Sequence, residues 1–275
     1  MNKNSSTWLP LDGRVSLVTG GAHGIGAGIC EELASAGAAV AIVDKQLDKA
    51  SDLAGRLAAA GQRVISVHAD IATEEGCRSA VAQTVGALGG LDILVNNAAP
   101  ARKREMLGKI AGADWAIHEQ VVLQATVNLT DAALPYLAAS GKGVVVNVSS
   151  AVGASVAIEQ CSWPYHVSKA GLNHLTRWLA AHLGQQGIRV NAVAPGLVNR
   201  EDGPQLTDNP MHLAVIKNVV PLGRAGRAAD IAKTVVFLCS DQSAYMTGQV
   251  LVVDGGLGLA EVFGASLRAY QASQL

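Results

Sequence analysis

Thr19-Gly20-Gly21-Ala22-His23-Gly24-Ile25-Gly26 follows directly on the β-branched run Arg14-Val15-Ser16-Leu17-Val18-Thr19, and Ile25, Ile29, Leu33 and Ala36 then recur at helical spacing. A glycine-rich turn between a strand and a helix lets backbone N–H groups close around an anion, and the positive end of the helix favours a phosphate there. The glycines alone specify little, because an ordinary strand-to-helix turn reads the same way. The deciding spacing is longer. The next run, Ala39-Val40-Ala41-Ile42-Val43, ends in Asp44, about twenty residues on, where a carboxylate accepts hydrogen bonds from an adenosine ribose. Gly20, His23, Gly24, Ile25 and Gly26 are therefore assigned to a dinucleotide pyrophosphate and Asp44 to its ribose. A carboxylate at that place repels a 2′-phosphate, so the expected cofactor is NAD ahead of NADP, with the adjacent Lys45 leaving dual use open.

The same alternation continues outward. β-branched runs at 64–68, 93–96, 144–148, 188–193 and 250–253 are separated by longer Ala- and Leu-rich stretches, which predicts about seven parallel strands with helices on both faces, an α/β doubly wound sandwich. Near-continuous apolar strands suit a sheet covered on both sides. The 275 residues are expected to form a single domain, with a loop over about 196–221 and an extension over about 257–275. Twenty-one Lys and Arg against 22 Asp and Glu leave a formal charge of −1, no field for a nucleic-acid backbone. The opening stretch is polar, and no later stretch stays apolar long enough to cross a bilayer, so a soluble, cytoplasmic protein without a membrane partner is expected. Cys30, Cys77, Cys161 and Cys239 are scattered with no His at ligand spacing, so they read as small buried hydrophobes, and no metal site is expected.

After the fifth strand comes Asn147-Val148-Ser149-Ser150, and fifteen residues past Ser150 comes Tyr165-His166-Val167-Ser168-Lys169. Tyr165 and Lys169 are four apart and share a helix face. A nearby ammonium favours tyrosinate, making the phenol a usable general acid or base, and a serine hydroxyl alongside can hold a substrate oxygen. A Tyr-Lys pair at this spacing is common on amphipathic helices, so its weight comes from the dinucleotide turn upstream.

Taken in order, Thr19 to Gly26, Asp44, Asp70-Ile71, Asn96-Asn97-Ala98-Ala99, Ser150, Tyr165 with Lys169, Asn191 to Gly196, and Asp254-Gly255-Gly256 make the chain resemble the short-chain dehydrogenase/reductase family over nearly its whole length. The resemblance implies a Rossmann-like fold and hydride transfer between a nicotinamide and a secondary alcohol or ketone. Tyr165 would move the proton, Lys169 would assist it, and Ser150 would orient the oxygen. It also implies that Asp70 and Ile71 border the adenine and that Asn97 and Ala98 line the cofactor groove. Tyr165 and Lys169 would meet the nicotinamide ribose, and Pro195, Gly196 and Val198 would lie against the nicotinamide. A homo-oligomer, tetramer or dimer, is implied as well.

Several residues depart from the family pattern. Relatives carry an asparagine in the helix after Trp115 that helps hold a proton-relaying water. The matching position here is Val122; Asn128 offers a second alignment that needs an insertion and a deletion, and six residues on it cannot act from the same helix face. Trp163 beside the reactive tyrosine reads either as a wall of the substrate site or as an interface residue. Arg102-Lys103-Arg104 reads as an attractor for an anionic substrate or as solvated charge. Val262, Phe263, Leu267 and Tyr270 read as an apolar stripe on a docked tail or as a frayed terminus. The competing function is a dinucleotide-binding scaffold or sensor that has lost turnover, for which Val122 speaks. An enoyl reductase ranks third, since its lysine stands further from its tyrosine.

Overall fold

The computed structural model describes residues 10–100, 112–157, 161–199, 205–259, 262–272 and 274. The first half alternates β1 (Val15–Thr19), α1 (Gly24–Ser35), β2 (Ala39–Asp44), α2 (Leu47–Ala59), β3 (Val64–His68), α3 (Glu74–Leu88) and β4 (Ile93–Asn96). The second runs α4 (Gly112–His118), a π-helical turn over Glu119–Gln124, α5 (Ala125–Ala139), β5 (Val144–Val148), α6 (Trp163–Leu183), β6 (Arg189–Pro195), α7 (Pro210–Val219), α8 (Ala228–Cys239), β7 (Val250–Val253) and α9 (Val262–Ala272).

The strands form one seven-stranded sheet in the order β3-β2-β1-β4-β5-β6-β7, with every named pair parallel. Because side chains alternate along a strand, Val18, Val40, Ile42, Val95 and Val146 join the cluster that holds α1, α2 and α8. Leu17, Ala41, Val43, Leu94 and Val145 join the one that holds α3, α5 and α6. Both faces are thus covered, which is why the strands read as unbroken apolar runs. The chain leaves β1 toward β2 on one side, while β4 lies on the other. The connections after β1 and β4 diverge, opening a crevice at the carboxyl ends of the strands.

The structure corrects the sequence reading in places. Arg14 lies just outside β1, where its guanidinium donates to the Lys142 carbonyl, and β6 begins at Arg189 and extends to Pro195. The segment 196–221, expected to be irregular, contains a 3-10 turn at Leu206–Asp208 and then α7. The signal was local: the Asn209 side chain accepts from the Met211 and His212 amides, and Pro210 occupies the first helical position. The extension is helical too, and α9 lies against α7. Leu267 and Tyr270 on α9 stay exposed, so the expected stripe is not buried at those two positions. Arg102, Lys103 and Arg104 lie outside the described residues. All four cysteines are buried and unpaired.

Candidate active site

The turn from β1 into α1 needs its glycines for different reasons. Gly20 (φ 60°) and Gly24 (φ 55°) adopt left-handed backbone conformations, and a Cβ on Gly26 would collide with the Gly20 carbonyl. A Cβ on Gly24 would instead point into open space, the free volume a phosphate needs beside the helix start. The N-cap of α1 is the exposed His23, which makes no side-chain hydrogen bond to the helix, and the first turn has no acidic residue. Thr73, by contrast, caps α3 by accepting from the Gly76 amide. No side chain among the described residues caps the first amides of α1, an arrangement able to take an anionic ligand.

Asp44, 5% exposed at the end of β2, shapes the same turn. Its Oδ2 accepts from the Ala22 amide at 3.2 Å and its Oδ1 from the Gln46 amide at 2.9 Å. A carboxylate has about four acceptor positions, so two oxygens thus engaged still have capacity for ribose hydroxyls. From the other side of the crevice, the Asn97 side-chain amide donates to the Thr19 and Gly20 carbonyls at 2.9 and 3.0 Å. The Thr19 hydroxyl accepts from the Asn97 and Ala98 amides at 3.0 and 3.2 Å. Asn97 and Ala98, expected to line the groove, thus also tie β4 to the glycine turn. Sequence spacing puts Thr19 in the turn and carries no signal for this bracing role.

Ser150, Tyr165 and Lys169 are all buried, at 6, 5 and 2% exposure, and meet where β5 ends and α6 begins. Lys169 Nζ donates to the Val148 carbonyl at 2.7 Å, and the Ser149 hydroxyl donates to the Lys169 carbonyl at 3.2 Å. The two residues before Ser150 are thereby pinned to the helix that carries the tyrosine. Lys169 Nζ lies 5.7 Å from the centre of the Tyr165 ring. Ser150 Oγ accepts from the Val152 amide at 3.4 Å, which leaves its O–H to donate to a ligand oxygen. Thr19, Ile71, Asn96, Ala98, Val122 and Lys169 line one narrow cleft, packed too tightly to admit a water molecule, so the ends of β1 and β4 and the helices α5 and α6 converge there.

The helix entering α5 is interrupted at this cleft by the π-helical turn, a feature concentrated at functional sites. Val122 is buried within it, and its carbonyl accepts from the Thr126 hydroxyl at 2.9 Å. One turn earlier, His118 is buried with its ring against Tyr165, and Trp115 stacks on Trp163 with centroids 5.1 Å apart. Trp163, the first residue of α6, keeps 39% exposure. His118 carried no site signal in the sequence, since its contact is made across helices.

The remaining expected cofactor residues sit at the carboxyl edge of the sheet. Asp70 is exposed and accepts from the Ala72 amide, while Ile71 is buried at the cleft. Pro195 closes β6, and Gly196 follows against Asp254. Val198 forms a parallel bridge with Gly226 through the Leu197 carbonyl and Asn199 amide, which turns Val198's own N–H and C=O the other way.

The described residues contain no helix long and apolar enough to cross a membrane and no cluster of three metal-ligating side chains. The sequence family described as enoyl-(acyl carrier protein) reductase matches residues 20–258. The (2S)-[(R)-hydroxy(phenyl)methyl]succinyl-CoA dehydrogenase subunit BbsD of Thauera aromatica is 37% identical over 249 residues, 90% of this chain and 98% of its own. The cis-4-hydroxycyclohexanecarboxylate dehydrogenase of Sinomonas cyclohexanicum is 37% identical over 244 residues, 88% of this chain and 96% of its own. Among solved structures, L-sorbose reductase from Gluconobacter frateurii, complexed with NADPH and L-sorbose, superposes with a TM-score of 0.83 at 31% identity, covering 90% of this chain and 98% of that one.

Proposed function

Because this chain belongs to the short-chain dehydrogenase/reductase family of oxidoreductases, we propose that it is an NAD-dependent dehydrogenase that interconverts a secondary alcohol and a ketone. The observation that carries this reading is the Lys169 ammonium held 5.7 Å from the Tyr165 ring, next to the strand end that bears Ser150. Ser150 donates a hydrogen bond to the carbinol oxygen. Tyr165, as phenolate, takes the hydroxyl proton, and Lys169 stabilises that phenolate. Bound in the crevice, a nicotinamide dinucleotide supplies the acceptor for the carbinol hydride. Gly20 to Gly26 with the open start of α1 hold its pyrophosphate, Asp44 its adenosine ribose, Asp70 and Ile71 its adenine. Asn97 and Ala98 border the groove, Tyr165 and Lys169 meet the second ribose, and Pro195, Gly196 and Val198 back the nicotinamide.

NAD follows from the buried Asp44 carboxylate, which disfavours the 2′-phosphate that a relative such as L-sorbose reductase accommodates in NADPH. The substrate is a small alcohol, with Trp163 as a wall of its site. Both curated relatives are named for hydroxyl compounds that carry a six-membered ring, and the stacked Trp115 and Trp163 supply an aromatic surface suited to one. Exposed Val127 and Tyr136 on α5 and Val167 and Trp178 on α6 provide the apolar face that a homo-oligomer would bury. A cytoplasmic setting belongs to the same reading. The buried Val122 favours one alternative, a dinucleotide-binding scaffold with little turnover.

A fluorescence assay of NADH formation on a panel of cyclic and acyclic secondary alcohols, run with NAD, with NADP and with Tyr165→Phe, tests this. NAD-linked turnover is expected, falling by about 10²–10⁴-fold in Tyr165→Phe with dinucleotide affinity unchanged. Tight NAD binding without turnover across the panel would select the scaffold, and normal turnover in Tyr165→Phe would remove the assigned mechanism.

A further inference from the structure

His118 ends α4 and is 2% exposed. Its Nδ1 lies 2.7 Å from the Asp114 carbonyl, one turn earlier in the same helix. A carbonyl oxygen only accepts, so Nδ1 carries the hydrogen, and in the neutral imidazole Nε2 holds a lone pair. That Nε2 is buried, and among the described residues it has no hydrogen-bond partner. The ring stands edge-on to Tyr165, at 85° with centroids 6.2 Å apart, while Lys169 Nζ lies 5.7 Å from the same phenol ring. Buried polar atoms without partners are few in folded proteins, and each calls for a reason. Packing does not supply one here, because Leu or Phe would fill the space against Tyr165 without burying an unmatched acceptor.

We infer that His118 is a positioning residue for the reactive phenol: locked by Asp114, its imidazole fixes the tilt of the Tyr165 ring and keeps a buried Nε2 lone pair on the ring packed against it. The inference rests on the dehydrogenase reading given above. Proton exchange between Tyr165 and the substrate oxygen requires heavy atoms within about 2.6–3.2 Å, so a small change in ring tilt moves the phenolic oxygen out of reach. A lone pair buried at low dielectric also acts on the dipoles around it more strongly than it would in water. His118 itself neither gains nor loses a proton in the cycle. The proton passes from the carbinol hydroxyl to Tyr165 as the hydride leaves the carbinol carbon. Trp115, His118 and Val122, at steps of three and four, form one stripe of the entering helix. The first two contact Trp163 and Tyr165, so this stripe braces the catalytic helix through rings.

His118→Leu, His118→Gln and His118→Phe test this beside Tyr165→Phe, each measured for kcat, dinucleotide Kd, thermal midpoint and solvent deuterium isotope effect on kcat. In His118→Leu, kcat is expected to fall at least ten-fold with dinucleotide Kd within two-fold, and the solvent isotope effect is expected to rise as proton transfer becomes limiting. His118→Gln, which keeps an acceptor, recovers part of the rate. Wild-type kcat and isotope effect in His118→Leu would overturn the inference. So would equal rate losses in Leu and Gln that track a drop in thermal midpoint, the signature of a packing role. If His118→Leu does not fold, His118→Phe, which keeps an aromatic edge without the acceptor, is read by the same criteria. A Tyr165→Phe enzyme that still turns over brings down the dehydrogenase reading itself. A dead Tyr165→Phe with an unaffected His118→Leu brings down only the role of His118.

Discussion

On the proposed reading Asp44 does two jobs with one carboxylate, since the oxygens that would meet a ribose also accept from the Ala22 and Gln46 amides. Asp44→Ala therefore removes the charge that repels a 2′-phosphate and, with it, a brace of the turn. The expected outcome is weaker NAD binding together with a shift of the NAD to NADP affinity ratio of at least about ten-fold toward NADP, the worth of roughly 1.4 kcal/mol. Fluorescence titration with both reduced dinucleotides checks it, and an unchanged ratio would refute the cofactor argument. Asp44, the glycines, Ser150, Tyr165 and Lys169 could be nominated from the sequence because the chemistry proposed for them demands particular side chains at fixed local spacings. The parts that were not legible act across distance. The Thr19 hydroxyl serves an amide 78 residues away, and His118 meets Tyr165 through the packing of two helices. No local pattern records either contact.

Helices differ in how openly their ends are written. For α7 the Asn209-Pro210 cap was present but stood in a proline-rich stretch that reads as loop, and the π-helical turn leaves no mark in side-chain spacing. The start of α8 depends on a charge. Asp230 accepts from the Arg224 guanidinium at 2.7 and 3.3 Å and from the Arg227 amide at 2.8 Å, while its own amide donates to the Arg227 carbonyl at 3.0 Å. The Arg224 hydrogen bonds, and after them the Arg227 amide, hold the Asp230 carboxyl below its ordinary range. A carboxyl lowered on folding contributes stability above its unfolded value and loses it as pH falls through the folded one. Asp230→Asn is thus expected to cost about 0.5–1 kcal/mol near pH 7, held to the low end because the pair is largely exposed. Urea unfolding at pH 7 and near pH 3 checks this: the difference between the two proteins should be smaller at the second than at the first.

Across the whole molecule, the parallel sheet was legible because a sheet covered on both faces writes itself as repeated apolar runs, and the structure returns all seven strands. The same coverage seals the Cys30, Cys77 and Cys239 thiols. Burial, the largest cause in each case, pushes Cys77 up to about 11 and Cys239 up to about 12, and raises Cys30 as well. Protonated and enclosed thiols do not attack disulfides, so with Ellman's reagent at pH 7.5 Cys30, Cys77 and Cys239 are expected not to react fast in the native protein and to react in urea. Fast native labelling of any of these three would contradict the burial. The strand order also governs when the site comes into being. Ser16 on β1 is in register with Ile93 on β4, 77 positions later, and Asn96 on β4 with Asn147 on β5, a further 51 positions along. The glycine turn and the Tyr-Lys helix can each take local shape early, but they face one another only after β4 has slotted between β1 and β5. Closing loops of that length is slow beside helix formation. During refolding, dinucleotide binding should therefore appear as a late event that marks the docking of the two halves, after most of the helical signal has already returned.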